Sequence, residues 1–442
     1  MASTKASLCG VASVLAFLSA IAIAPVSAQT SGKTVRHVHV QEKDATAALL
    51  TEAESDIDKQ DYSSAESLLK KYLDAHANDY AGWYDLGFVD HALGKKQDSI
   101  AAYRKSVDAK PGVFESNLNL GLALADSGDP QAEQYLRVAT QLTPNSNPEQ
   151  GRKRAWMALG HVLESSKPDD AVAAFEEAAK IDPHDPEPHL LAGSLLEKQQ
   201  KTNEAEKEYE QALSIDPNSP DALVAVSNAY MRQKRFPEAE MSLEKLVALR
   251  PNDAGAHFQL GRVLDISGQS DRAIAEMETG LKLDPADANA QRDLADMYAD
   301  AKRFDDAARL YATLLATRPN DAALHFGLGR VLLKQKKSAD AEQELMKAVQ
   351  LKPDWGEAYG ELAIAANENK DYPRAIKAAD LRAKYLPENP MSYFLRATAY
   401  DHLHDAKDAA KYYHQFLDVA GGKYPDQEWQ AQHRLIAIEP KK

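Results

Sequence analysis

"WYDLGFVDHALGKKQDSIAAYRKSVDAKP", residues 83–111, returns with altered letters further along the chain. Residues 190–217 read "LLAGSLLEKQQKTNEAEKEYEQALSIDP", and residues 326–353 read "FGLGRVLLKQKKSADAEQELMKAVQLKP". Aligned on one alanine, Ala205, Ala239, Ala273, Ala307, Ala341, Ala375 and Ala409 fall 34 residues apart without a slip. Ala65, Ala132 and Ala171 hold the same place earlier, with Ser99 as the exception. A small residue stands upstream, as at Gly87, Gly121, Gly160, Gly193, Gly261 and Gly329. A proline stands downstream, from Pro111, Pro144 and Pro183 through Pro217, Pro251, Pro285, Pro319 and Pro353 to Pro387. A period of this length marks an array of supersecondary units.

The spacing has a mechanical meaning. Leu260, Gly261 and Leu264 share one helical face, and Ala273, Met277 and Gly280 share another, at the spacings of amphipathic helices. "SGQSD" between them supplies a turn. Two helices that meet at small residues approach closely, so Gly261 and Ala273 are expected at the crossing. Proline ends each second helix, because its ring clashes with helical continuation. "DPN", "DPA" and "RPN" then open the next unit, with Asp or Asn available as a cap.

These features resemble the tetratricopeptide repeat, a family of helix–turn–helix units. Trp83, Leu86, Gly87, Ser99, Tyr103 and Pro111 carry the likeness in one unit. Leu191, Gly193, Ala205, Tyr209, Ala212 and Pro217 carry it in another. About eleven such units are expected over residues 46–423. The resemblance implies an all-α fold, a right-handed superhelical solenoid of antiparallel helix pairs. Glu52 and Asp56 make the first unit a polar cap. Residues 145–152, "NSNPEQGR", add a loop where two sub-blocks are expected to meet. Residues 424–442 are read as a capping helix and tail, with Trp429 and Ile436 turned towards the array and charge outwards. A solenoid needs such a lid over its last apolar face.

Residues 1–28 read differently: Lys5, an apolar run from Leu8 to Ala24, and Val26 and Ala28 before a cut. This is the pattern of a secretory signal peptide, followed by a flexible segment at 29–45. The apolar run is about 17 residues, at the lower edge of what spans a bilayer. A soluble product, periplasmic or secreted, is the expectation, with a retained membrane anchor as the alternative. Cys9 is the single cysteine, so the cleaved chain has neither disulfide nor thiolate chemistry. The net charge of -15 argues against nucleic acid, which demands a basic surface.

Chemistry is harder to find. His37 and His39 in "RHVHV" supply two metal ligands without a third. His184 and His189 fall in a linker, and His402 and His404 around a turn. No phosphate loop, G-x-S-x-G elbow or H-E-x-x-H helix is present in the sequence. The reading is therefore no enzyme, no cofactor and no metal.

Binding surfaces follow from the resemblance, which implies that the second, fifth, ninth and twelfth positions of each first helix face a concave groove. Those positions place Tyr84, Phe88, His91, Leu118 and Leu122 in an apolar beginning. Met157, His161, Asn228 and Met231 fall in the middle. An ionic and aromatic end carries Phe258, Arg262, Asp265, Arg292, Asp296, Phe326 and Arg330. Arg262, Arg292 and Arg330 suggest a ladder for carboxylates, since arginine forks onto them. The plainer alternative is that Arg262 and Arg292 only neutralise Asp265 and Asp296 on their own helices. The leading expectation is a non-catalytic exported scaffold that binds a protein or extended peptide. A structural component of a cell-envelope assembly or polysaccharide-export machine, in a membrane-associated complex, is the alternative, and an enzyme hidden in the repeats is a third reading.

Overall fold

The computed structural model describes residues 46–439, all of whose regular elements are α-helices. Residues 1–28, read above as a signal peptide, together with His37 and His39, lie outside the described residues. The described chain falls into two compact units that divide between Asp182 and Pro183.

The first unit holds α1 (Ala47–Asp58) with α2 (Tyr62–Ala75), then α3 (Tyr80–Ala92) with α4 (Lys96–Ala109). It continues with α5 (Phe114–Asp126) and α6 (Ala132–Gln141), then α7 (Pro148–Leu163) and α8 (Pro168–Ile181). The loop expected at 145–152 therefore lies inside this unit, and Pro148 opens α7.

The second unit opens with α9 (Glu187–Lys198) and α10 (Thr202–Ile215), then α11 (Pro220–Arg232) and α12 (Phe236–Leu249). Next come α13 (Ala254–Ile266) and α14 (Ser270–Leu283), then α15 (Ala288–Asp300) and α16 (Phe304–Thr317). It continues with α17 (Ala322–Lys334), α18 (Ser338–Leu351), α19 (Gly356–Glu368) and α20 (Tyr372–Tyr385). α21 (Pro390–His402) and α22 (Ala406–Ala420) form the last pair, and α23 (Pro425–Ile438) follows alone.

The periodic residues explain the pairing. Every one of the aligned alanines, and Ser99, is at most 1% exposed. Ser99, lacking a methyl in that place, turns its hydroxyl to donate to the Gly87 carbonyl at 2.8 Å. A Cβ built on Gly261 would meet Met277 at 2.8 Å and the Ala273 carbonyl at 3.2 Å, so the small residues do sit at the crossing. The helix that precedes each proline stops two or three residues short of it, as α12 does at Leu249 and α14 at Leu283. The cap for the next helix is the Asp that follows the proline: Asp253, Asp287 and Asp321 each accept backbone amides of the first turn. The turn inside every pair except α7–α8 holds a left-handed residue. Gly268 supplies it with φ 75, and Lys302 takes the same place with φ 62.

At several junctions successive pairs are latched by an acid that directly follows the periodic alanine. Glu66 holds Lys95 at 2.5 Å, Glu206 holds Gln233 and Arg235, Glu240 holds Gln269 at 2.8 Å, and Glu342 holds Asn369 and Arg374. Each partner lies at the turn of the following pair or, for Arg374, in the first turn of its second helix. Beside the Glu66 latch, Asp90 is 1% exposed and its Oδ1 meets no hydrogen-bond donor. Burial, then the charge of Glu66, pushes this carboxyl up to about 6 from 3.8. A carboxyl raised on folding favours the folded state at acid pH, and that contribution is lost as the pH rises through about 6. Asp90→Asn is therefore expected to stabilise the protein at pH 7 by about 1 kcal/mol, discounted because Lys70 and Lys95 oppose the shift. Urea melts should show little gain at pH 4; an equal gain at both pH values would contradict the assignment.

The capping helix corrects one expectation. Trp429 and Ile436 do not face the array; they are 62% and 71% exposed. Ala431, Leu435 and Ile438 make the contact instead, against a core of Tyr413, Phe416 and Ala420. Their i, i+4, i+7 spacing is the stripe that a packed helix needs. Arg434 fixes the rotation of α23 by gripping both oxygens of Asp401, at 2.6 and 2.7 Å. Trp429 lies outside, its ring 3.9 Å from that of His433.

Candidate functional site

Within each unit the two layers of helices differ. First helices touch the next first helix, as α5 touches α7, α15 touches α17, α17 touches α19 and α19 touches α21; second helices make no contact of that extent with one another. The first helices therefore line the shorter, inner radius, and their exposed positions form the candidate surface.

Several expected surface residues turn out to be packed. Tyr84 is 5% exposed, its hydroxyl receives Asn119 Nδ2 at 2.9 Å, and burial pushes its phenol well up. Phe258 is 4% exposed and fills the space left by Gly280. Leu118 is buried, while Phe88, half-buried, stands edge-on to Tyr62. Leu122, Met157, Asn228 and Met231 are half-buried, and His91 is exposed. His161 is exposed and pairs with Glu164 at 2.8 Å. Of the linker and turn histidines, His189 meets Glu208 at 2.7 Å, His402 stacks on Tyr372, and His404 takes a left-handed turn position.

The three arginines have different fates. Arg262 pairs at 2.8 Å with Asp293 of the next first helix, not with Asp265 on its own. Arg330 repeats this pairing more loosely, 4.0 Å from Glu361, with its side chain 55% exposed. Arg292 is half-buried and forms neither a hydrogen bond nor an ion pair. Asp296 receives the Tyr311 hydroxyl. Tyr311 comes from the second-helix layer and passes over Gly327, where a Cβ would stand 2.6 Å from its ring. Burial and Asp296 push the Tyr311 phenol far up, while Arg330 and Arg292 oppose them. Asp265, half-buried and without a partner, is raised by burial first and then by Asp300 and Asp293. The inner face between α13 and α17 carries charges of both signs.

One part of this face was not foreseen. On α19 the ninth position is Ile364, 41% exposed, and the fifth is Gly360. One turn away lies Glu361, the loose partner of Arg330. Phe326 lies 5.6 Å beneath the Arg330 guanidinium and 4.5 Å from the Trp355 ring. Apolar surface and a scarcely engaged cation therefore adjoin. Among the described residues no cluster of His, Cys, Asp and Glu is arranged to hold a metal ion, and no helix is long and apolar enough to cross a membrane.

Two models of the tetratricopeptide repeat match the chain. One matches residues 50–114, 92–147 and 161–220, and the other matches 196–260, 230–297, 266–325 and 298–363. Together they span well over half of the sequence, and the chain belongs to the tetratricopeptide-repeat family. No curated protein matches it. Among solved structures it is similar to pilF of Pseudomonas aeruginosa, at 24% identity over 48% of this chain and 97% of that one, with a TM-score of 0.41. It is similar to YrrB, described as a tetratricopeptide protein with an unusual peptide-binding site, at 22% identity over 42% and 96%, with a TM-score of 0.40. The Cut9–Hcn1 assembly of the APC/C aligns over 90% of this chain and 96% of its own, at 14% identity and a TM-score of 0.41. Proteins of this family are generally non-catalytic scaffolds that bind proteins or peptides.

Proposed function

We propose that the chain is a non-catalytic, exported scaffold that holds an extended segment of a partner protein on the inner face of its second unit. The observation that carries this reading is the neighbourhood of Arg330. Its pairing to Glu361 is long and solvent-exposed, so it contributes little stability as it stands, and an incoming carboxylate can take Glu361's place with a bidentate fork. Ile364, 41% exposed, offers an apolar side chain of the same segment a place beside that fork. Arg292, with no partner of its own, offers a second cationic point. The partner segment is therefore one that alternates acidic and apolar residues. A preformed surface of stacked helices reduces the ordering cost of binding it. Export rests on the signal-like residues 1–28.

Arrays of extended peptides probed with the full chain test this. Arg330→Glu is expected to weaken retention of acidic-apolar peptides roughly tenfold or more. Met241→Glu, on a second helix and 69% exposed, should leave it unchanged. Equal retention by parent and Arg330→Glu would overturn the reading.

Trp429 and Ile436, exposed on the terminal helix, favour a second reading, a component of an envelope assembly that rests this end on another body. Gentle extraction and size-exclusion separate the two: a membrane-associated complex supports the second, a soluble chain the first.

A further inference from the structure

His257 on α13 and His325 on α17 occupy the same place in their pairs, two periods apart, and are 6% and 4% exposed. They make the same two contacts. Nδ1 of His257 lies 2.6 Å from Glu276 Oε2, and its Nε2 lies 3.0 Å from the Pro251 carbonyl. For His325 the partners are Glu344 Oε2 at 2.5 Å and the Pro319 carbonyl at 2.9 Å. A carbonyl and a carboxylate only accept. A neutral imidazole carries one N–H and can satisfy one of them; both contacts together require a proton on each nitrogen. The alternative, a protonated glutamate, runs against the surroundings of Glu344: burial raises its carboxyl, but Lys347 and His325 outweigh burial and hold it below the usual range.

We propose that His257 and His325 are proton-dependent clasps, each tying the carbonyl that closes one hairpin to the second helix of the next through a charged ring. Pro251 and Pro319 end the preceding hairpins, while Glu276 and Glu344 belong to α14 and α18. Each ring therefore spans the junction where two hairpins meet. Loss of one proton leaves two acceptors and a single donor, and one link opens. The other charged groups at these junctions are already engaged or lie in the joining segments. Lys347 binds Glu344 at 2.9 Å, Asp253 and Asp321 accept first-turn amides, and Arg250 and Arg318 cap the ends of α12 and α16.

The same place elsewhere shows what a neutral clasp looks like. Gln291 donates Nε2 to the Pro285 carbonyl at 2.6 Å, and Asn117 donates Nδ2 to the Pro111 carbonyl at 2.7 Å. These side chains keep the link to proline and have no proton to lose. His189 meets only the Glu208 carboxylate, so a single N–H serves it and it stands outside the proposal.

With both ring nitrogens donating in each clasp, folding takes up a proton at each junction wherever the unfolded chain's imidazole is neutral. Stability is therefore highest on the acid side of neutrality and falls towards pH 8.5, with about two more protons bound by the folded chain than by the unfolded one. Urea melts of the full chain from pH 5 to 8.5 should show this slope. The double variant His257→Gln, His325→Gln should remain folded, because glutamine restores the proline link. It should lose the two-proton share of that slope, keeping the part that Asp90 contributes around pH 6. Nitrogen-15 spectra of histidine-labelled parent at pH 7.5 should show both ring nitrogens of His257 and His325 protonated, a reading that stands even if the variant fails to fold. The same slope in parent and variant, or an unprotonated nitrogen in either ring at pH 7.5, would overturn the clasp.

Discussion

Arg396→Ala is expected to lower the stability of the last hairpins by about 3 kcal/mol, the largest single loss anticipated here. Arg396 is 2% exposed although it carries a charge. Its Nε donates to Asp380 Oδ1 at 2.8 Å and its Nη2 to the Ala379 carbonyl at 2.7 Å, both on α20. Nη1 lies 2.8 Å from Glu388 Oε1 as an ion pair without hydrogen-bond geometry, and the guanidinium stands 5.5 Å from the Tyr412 ring. Truncation strands a buried carbonyl and two carboxylates and empties the space between α20, α21 and α22. Asp380 is half exposed and can recover water, which keeps the loss at the lower end of the range for broken buried pairs. Urea melts by circular dichroism measure it, and hydrogen exchange should place the early opening in α21–α23. Arg396→Met, which refills part of the volume, should recover some of the loss. A melt of Arg396→Ala that matches the parent would show that the side chain does not hold this corner together.

Ala273→Leu and Ala307→Leu are each expected to cost about 1–3 kcal/mol by overpacking. Both alanines are 0% exposed, and the Ala273 carbonyl lies against Gly261. A leucine at 273 must push two helix backbones apart, because Gly261 has no side chain to yield. A leucine at 307 enters a crossing that the buried Ala295 already fills. Ala101→Leu, at an exposed place on α4, should stay within about 0.5 kcal/mol of the parent. Thermal melts decide; parent-like melts for Ala273→Leu and Ala307→Leu would remove those residues from the crossings.

The sequence made the crossings legible because they depend on residues within one hairpin. Alanine, glycine and proline have few ways to be used, and a period that recurs in phase leaves little freedom in where they stand. The surface was less legible because its side chains answer to the neighbouring hairpin. Phe258 stands at a groove position, yet Gly280 opens a space that draws it into the core. Arg262 has an aspartate one turn along its own helix, yet Asp293 on the next first helix takes it. Tyr311 reaches Asp296 only because Gly327 clears its path, and the doubled glycine of "FGLG" was the available signal. On α23 two apolar stripes compete. The smaller one won because Ala431 permits close approach and Arg434 locks onto Asp401. The latching acids were visible in outline, as an Ala-Glu pair at Ala65, Ala205, Ala239 and Ala341, but their partners lie a hairpin away.

The proposed scaffold can work only if its first helices carry the binding surface. Placing a photoreactive phenylalanine at Ile364 on the inner face, and separately at Met241 on a second helix, tests this in an envelope extract. A discrete crosslinked adduct is predicted from position 364, lost when Arg330→Glu is added, with none from position 241. Equal adducts from both positions, or an adduct from 241 alone, would contradict it.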